Sequence, residues 1–129
     1  MKDYMMGCGV LLLSFNIHAT EIPAAVETLL QHYQQQGNAD RGQTLWQQQN
    51  TIKQQQRSCG SCHGDDLSQT GQHQKTGKVI KPMAFSANPE RYQDQKKIKK
   101  WLKRNCKWTF GRTCNDQEKA DLLQYLIQQ

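Results

Sequence analysis

Cys59-Gly60-Ser61-Cys62-His63 is the stretch from which the rest of this chain is read. It spells C-x-x-C-H, the pattern by which a c-type haem is attached. Two thiols three positions apart on one helical turn can each add to one haem vinyl group. The adjacent imidazole then supplies the proximal nitrogen to the iron. At this composition about 0.005 accidental matches are expected in the chain, so the motif is specific. Two other uses of the same residues stand beside it. Cys59, Cys62 and His63 with a fourth ligand could hold zinc. A dithiol redox pair is also possible, although the βαβ pattern that accompanies one is not evident.

Working outward, Cys106 and Cys114 pair naturally once Cys8 is set aside with the N-terminal segment. In an oxidising compartment they are expected to form a disulfide joining the third helix to the fourth. The compartment is read from the N-terminus. A short start containing Lys2 precedes a mostly apolar stretch from Met5 to Ile17, and Ala19 offers a cleavage point. This describes a signal peptide over 1–19, leaving a single domain over 20–129 exported to the periplasm. A retained anchor or a buried N-terminal helix is the alternative. The apolar stretch is shorter than the ~20 residues of a membrane span.

The 129 residues suffice for one domain. Only 36% are hydrophobic, and the mean hydropathy is −0.89. A small polar chain covers apolar surface poorly and needs a staple, be it a disulfide, a metal or a buried cofactor. The net charge is +6, from 17 Lys and Arg against 11 Asp and Glu. This favours acidic partners, but no nucleic-acid motif accompanies it, so no nucleic-acid partner is expected.

Four helices are expected. The first runs from Pro23 to Gln36, with Val26, Leu29, Leu30 and Tyr33 as its inner stripe and Gly37 past its end. The second runs from Ala39 to Gln49 and buries Leu45 and Trp46. The third starts after the cap Asp94 and reaches about Cys106. Its stripe is Ile98, Trp101 and Leu102. Lys96, Lys97, Lys99, Lys100 and Lys103 form either a docking face for an acidic donor or a merely solvated one. The fourth opens on Asn115-Asp116-Gln117-Glu118, a capping sequence, and buries Ala120, Leu123, Leu126 and Ile127. No strand pattern of useful length is evident. Residues 64–93 read as a long loop, and loops of that length in small domains usually wrap around something. The fold class is therefore all-α, a small cytochrome c-like helical domain wrapped around one covalent haem c.

That loop offers His73, Met83 and Asn88 as partners for the second axial position. Met83 would give the usual electron-transfer pair and raise the potential. His73 reads as a solvent-exposed loop histidine. An amide oxygen such as that of Asn88 is a weak ligand, acceptable to ferric iron and poor for ferrous.

Lys75-Thr76-Gly77-Lys78-Val79-Ile80-Lys81-Pro82-Met83 leads into Ser86-Ala87-Asn88-Pro89-Glu90-Arg91-Tyr92. Lys100-Trp101-Leu102-Lys103-Arg104-Asn105-Cys106, Gly111-Arg112-Thr113-Cys114 and Glu118-Lys119-Ala120-Asp121 follow. Together these stretches, over roughly 39–127, resemble the sphaeroides haem protein family of asparagine-ligated, high-spin cytochromes c. The resemblance implies His63 and Asn88 as iron ligands and a Cys106–Cys114 disulfide near the haem. It further implies that the asparagine yields in the ferrous state to a diatomic, oxygen or nitric oxide. A dihaem cytochrome c or a membrane cytochrome b is the implied electron donor. Met83 stands where the family has an apolar residue without sulfur.

Overall fold

The computed structural model describes residues 21–129, so the expected signal peptide lies outside the described residues. Four long helices carry the fold: α1 (Ala24–Tyr33), α2 (Ala39–Gln47), α4 (Gln95–Phe110) and α5 (Asp116–Ile127). A single-turn helix, α3 (Gly60–His63), holds the second cysteine and the histidine of the motif. None of the described helices is long and apolar enough to cross a membrane.

The caps explain the boundaries. The Asp94 carboxylate accepts from the backbone N–H groups of Lys96 and Lys97, which starts α4 where the sequence placed it. Asn115 and Glu118 exchange side-chain and backbone hydrogen bonds in a complete capping box at α5. At its other end α4 runs one turn beyond Cys106, to Gly111 in the left-handed region at φ 71°. α1 stops at Gln34, also left-handed, rather than at Gly37. Gly37 instead permits a close approach. A Cβ there would lie 2.4 Å from the Ala120 carbonyl oxygen, so the chain between α1 and α2 lies directly on α5.

α2 packs along α5, and α1 packs against both α4 and α5. The enclosed core centres on Val26, Leu29, Tyr92, Ile98, Leu123 and Leu126. Trp46 is buried as expected, whereas Leu45 is only partly covered. α5 also buries Asp121, which accepts hydrogen bonds from Arg41 Nε and Nη2, the Asn38 N–H and Gln117.

Two short hairpins qualify the all-helical expectation without changing the class. β1 (Asn50–Ile52) and β2 (Gln55–Arg57) pair antiparallel around Lys53 and Gln54, both at positive φ. This hairpin packs on α4 and delivers the chain to the motif: Arg57 lies 3.6 Å over the Trp108 ring and donates to its carbonyl oxygen. β3 (Gly71–Gln72) and β4 (Val79–Ile80) form the second hairpin, inside the stretch expected to be loop. A 3₁₀ turn, Pro89–Tyr92, closes that stretch. The Tyr92 hydroxyl donates to the Met83 carbonyl, and the Phe85 and Ser86 N–H groups bond to carbonyls of Leu126 and Gln129.

Candidate haem site

The motif is shaped by its own serines. Ser58 Oγ accepts from the Ser61 N–H at 3.1 Å, and Ser61 Oγ accepts from the Ser58 N–H at 3.0 Å. This reciprocal cap starts a turn in which the His63 N–H bonds to the Cys59 carbonyl at 3.1 Å. Gly64, at φ 75°, ends it. Gly71 then passes so close that a Cβ would sit 2.2 Å from the Cys62 carbonyl oxygen, which seats the β3–β4 hairpin on α3.

Cys59 and Cys62 are both free thiols, while Cys106 and Cys114 are bonded across a Cα separation of 5.6 Å. The expected pairing is therefore the observed one. Burial pushes the Cys59 thiol up to about 11, so it is held neutral. Burial also pushes the His63 imidazole down to about 4, helped by the charges of Arg91 and His73. It is then neutral at ordinary pH, the form with a lone pair for a metal. Its ring lies 5.3 Å from that of Trp46, and its Nδ1 has no partner among the described residues.

Cys59, Cys62 and His63 face a cavity of about 600 Å³ walled by Trp46, Met83, Trp101, Trp108, Leu122 and Leu126. Five buried side-chain polar atoms lack partners among the described residues. Four of them, in Trp46, His63, Trp101 and Trp108, belong to residues of this cavity. Orphan polar atoms of this kind carry a desolvation cost unless a bound group meets them. Lys78, Lys81, Arg91 and Arg104 also line it, and no Asp or Glu does among the described residues. A haem fits this lining on each count: a flat apolar body, two vinyl groups for two free thiols, iron for a neutral imidazole, and anionic propionates among cations. Among the described residues no cluster of three or more His, Cys, Asp or Glu could hold a metal ion, so the zinc alternative lacks a ligand set.

The second-ligand candidates are not placed together. Met83 lines the cavity and is 2% exposed. His73 also lines it and is half-buried rather than fully exposed, its Nδ1 accepting from the Lys75 and Thr76 N–H groups. Asn88 is absent from the lining; its amide donates to the Pro82 carbonyl at 3.1 Å, and the residue stands at the start of the 3₁₀ turn. The asparagine that does line the cavity is Asn105, on α4, which sequence reasoning passed over. Trp101, Asn105 and Trp108 fall at i, i+4 and i+7, one face of a helix, and that spacing was the available signal.

The Domain of unknown function (DUF1924) family model matches residues 32–126. The chain is 45% identical over 93 residues to Cytochrome c-type protein SHP of Cereibacter sphaeroides, covering 71% of each protein. It is 33% identical over 70 residues to Cytochrome c'' of Methylophilus methylotrophus, a match spanning 54% of this chain and 49% of that one. Among solved structures it resembles oxidised SHP, described as an oxygen-binding cytochrome c, with a TM-score of 0.73 and 39% identity. That match covers 81% of this chain and 94% of the other. Oxidised cytochrome c'' shares the fold with a TM-score of 0.71, at 24% identity over 80% of this chain and 93% of that one. The chain belongs to the sphaeroides haem protein family of c-type cytochromes, all-α in fold, and its cofactor is one covalently attached haem c.

Proposed function

We propose that this protein is an exported monohaem cytochrome that accepts electrons from a partner cytochrome and binds a small diatomic, oxygen or nitric oxide, at the reduced iron. Cys59 and Cys62 carry the haem as thioethers, and His63 is the proximal ligand. The haem supplies a one-electron ferric–ferrous couple and, when reduced, a coordination position for a diatomic. The oxygen-binding description of the SHP structure supports this reading.

The single observation that carries the distal assignment is Asn105 in the middle of the α4 face that walls the cavity. We therefore assign the displaceable amide ligand to Asn105 in place of Asn88. Asn88, by contrast, stands outside the lining, its Nδ2 donating to the Pro82 carbonyl that also accepts from Arg91 Nε. An amide oxygen suits ferric iron and yields more readily from ferrous. Trp101 and Trp108 line the cavity with Asn105 from the same face of α4.

A second reading, a plain His/Met electron carrier, draws on the burial of Met83 in the cavity wall. Optical spectra separate the two. The first reading expects a ferric spectrum with high-spin character and carbon monoxide binding on reduction. Asn105→Ala should alter the ferric spectrum and Asn88→Ala should not. Low-spin spectra in both oxidation states without carbon monoxide binding would remove it. The second expects a near-infrared sulfur-to-iron charge-transfer band that Met83→Leu abolishes. The donor is a dihaem cytochrome c or a membrane cytochrome b, and the compartment is the periplasm.

A further inference from the structure

The geometry points to the β3–β4 hairpin, and not the lysine-rich face of α4, as the surface where an acidic electron-donor protein docks. This rests on the reading that a haem fills the 600 Å³ cavity. Electron transfer weakens exponentially with the protein gap to be crossed, so a donor has to sit where the cavity reaches the surface. Lys78, Val79 and Lys81 line the cavity and are exposed. Val79 is 66% exposed, and only one other large hydrophobic, Ile22, is exposed among the described residues. An exposed apolar side chain beside cations is the anatomy of a transient docking patch.

The charges of the hairpin segment are of one sign. Residues 67–89 contain Lys75, Lys78 and Lys81 and no Asp or Glu. Arg91 and Arg104 add two more cations to the cavity lining. The hairpin is also held in shape. The His73 N–H bonds to the Lys78 carbonyl and the Gly77 N–H to that of His73, both at 2.8 Å. Gln72 Nε2 bonds to the Gly77 carbonyl, and the His73 ring caps the turn. A preformed patch loses little entropy on binding.

The competing face points elsewhere. None of Lys96, Lys97, Lys99, Lys100 or Lys103 lines the cavity. Lys99 and Lys103 instead border a separate pocket of about 260 Å³ backed by the Cys106–Cys114 disulfide. A donor seated there would have α4 between itself and the cavity.

The test uses exported holoprotein and a reduced, strongly acidic two-iron ferredoxin as the donor probe. One electron leaves the ferredoxin cluster and reduces the ferric haem to ferrous, with no proton or leaving group. Stopped-flow rates at low salt are compared for wild type, K78E/K81E and K99E/K103E, two variants with the same change in net charge. The hairpin pair should slow the second-order rate about tenfold and flatten its salt dependence, and the α4 pair should change it less than about twofold. If charge reversal disturbs the haem pocket, Lys75→Glu, outside the cavity lining, replaces that pair and should slow the rate in the same direction. Carbodiimide cross-linking followed by mass spectrometry should place the ferredoxin on Lys75, Lys78 or Lys81. Equal losses in both pairs, no loss in either, or cross-links on Lys99 and Lys103 would overturn the proposal. Failure of the haem reading looks different: wild-type protein lacking a covalent haem would accept no electron, while the cross-linked lysines would still report the docking face.

Discussion

Gly42 of α2 lies so close to Asp121 of α5 that a Cβ at position 42 would sit 2.1 Å from the Asp121 carbonyl oxygen. The obstacle is backbone, which cannot swing aside as a side-chain tip can. In an ordinary helix interior Gly→Ala gains about 1 kcal/mol from propensity. Here the clash outweighs that gain, because α2 would have to move off the helix that walls the cavity. Gly42→Ala is expected to destabilise the protein by about 3 kcal/mol, as large overpacking effects do. Urea unfolding of holoprotein measures it, and a neutral or stabilising result would show that the two helices can separate freely.

The side chain of Asp121 ties the same two helices. Burial alone would raise its carboxyl, but the Arg41, Asn38 and Gln117 hydrogen bonds together outweigh that and hold it below the ordinary value of 3.8. A depressed folded pKa makes its stabilisation complete above the unfolded value, and lost as pH falls below 3.8 through the folded pKa. Asp121→Asn removes the charge at every pH and leaves Arg41 without a counter-ion. The expected cost is about 2–3 kcal/mol near neutrality, diminishing as pH falls below 3.8 through the folded pKa and the wild-type carboxyl protonates. Unfolding curves followed from pH 7 down through the acid limb decide it: a difference that does not diminish as pH falls would place the effect outside the carboxylate.

Asp121 also shows what the sequence conceals. The capping box at Asn115 and the Asp94 cap are local signals, each complete within four residues, and both were legible. The Arg41 and Asn38 partners of Asp121 lie about 80 residues away, and the close approaches at Gly37 and Gly42 exist only once α5 is in place. The C-x-x-C-H motif was legible because its chemistry is local as well. The asparagine of the cavity wall was not. Asn88 lies in a recognisable stretch, yet it stands outside the cavity lining, with its Nδ2 donating to the Pro82 carbonyl. Asn105 lies in a lysine-rich helix, although its spacing from Trp101 and Trp108 puts the three on one face.

The β1–β2 hairpin is hidden in the sequence for a related reason. Its two turn residues, Lys53 at φ 50° and Gln54 at φ 63°, occupy the left-handed conformation of a two-residue type I′ turn without the Asn-Gly that normally marks one. Residues with a Cβ lose about 1–2 kcal/mol each in that region. Replacing the pair by Asn-Gly relieves most of this, against the extra unfolded-state freedom of glycine, about 0.5–1 kcal/mol. Lys53→Asn with Gln54→Gly is therefore expected to stabilise the holoprotein by about 1 kcal/mol. The hairpin packs on α4 outside the cavity lining, so the absorption spectrum should not change. A loss of stability would mean that the strained turn residues make contacts worth more than their backbone cost.

The Cys106–Cys114 bridge adjoins the candidate distal ligand directly, since Asn105 precedes Cys106 on α4. Cys106 and Leu102 form a wall common to the cavity and to the smaller pocket on the other side of the helix. Both half-cystines are buried, at 2% and 4% exposure, so the bridge acts as part of the core as well as a cross-link. Closing so short a loop removes about 2–3 kcal/mol of unfolded-state entropy. Cys106→Ala with Cys114→Ala should lower unfolding stability by that amount, with a further loss from the two vacated sulfur positions. The spectral consequence separates the two roles. If α4 is held at Asn105 mainly by its own helix and by the tryptophans, the variant keeps the wild-type ferric spectrum and loses only stability. If the bridge fixes the last turns of α4 against the cavity, the ferric spectrum changes as it does in Asn105→Ala. The second outcome is expected, because Cys106 follows the asparagine directly and carries the side-chain cross-link from α4 to the residue just before the α5 cap. An unaltered spectrum in the double variant would assign the bridge to stability alone.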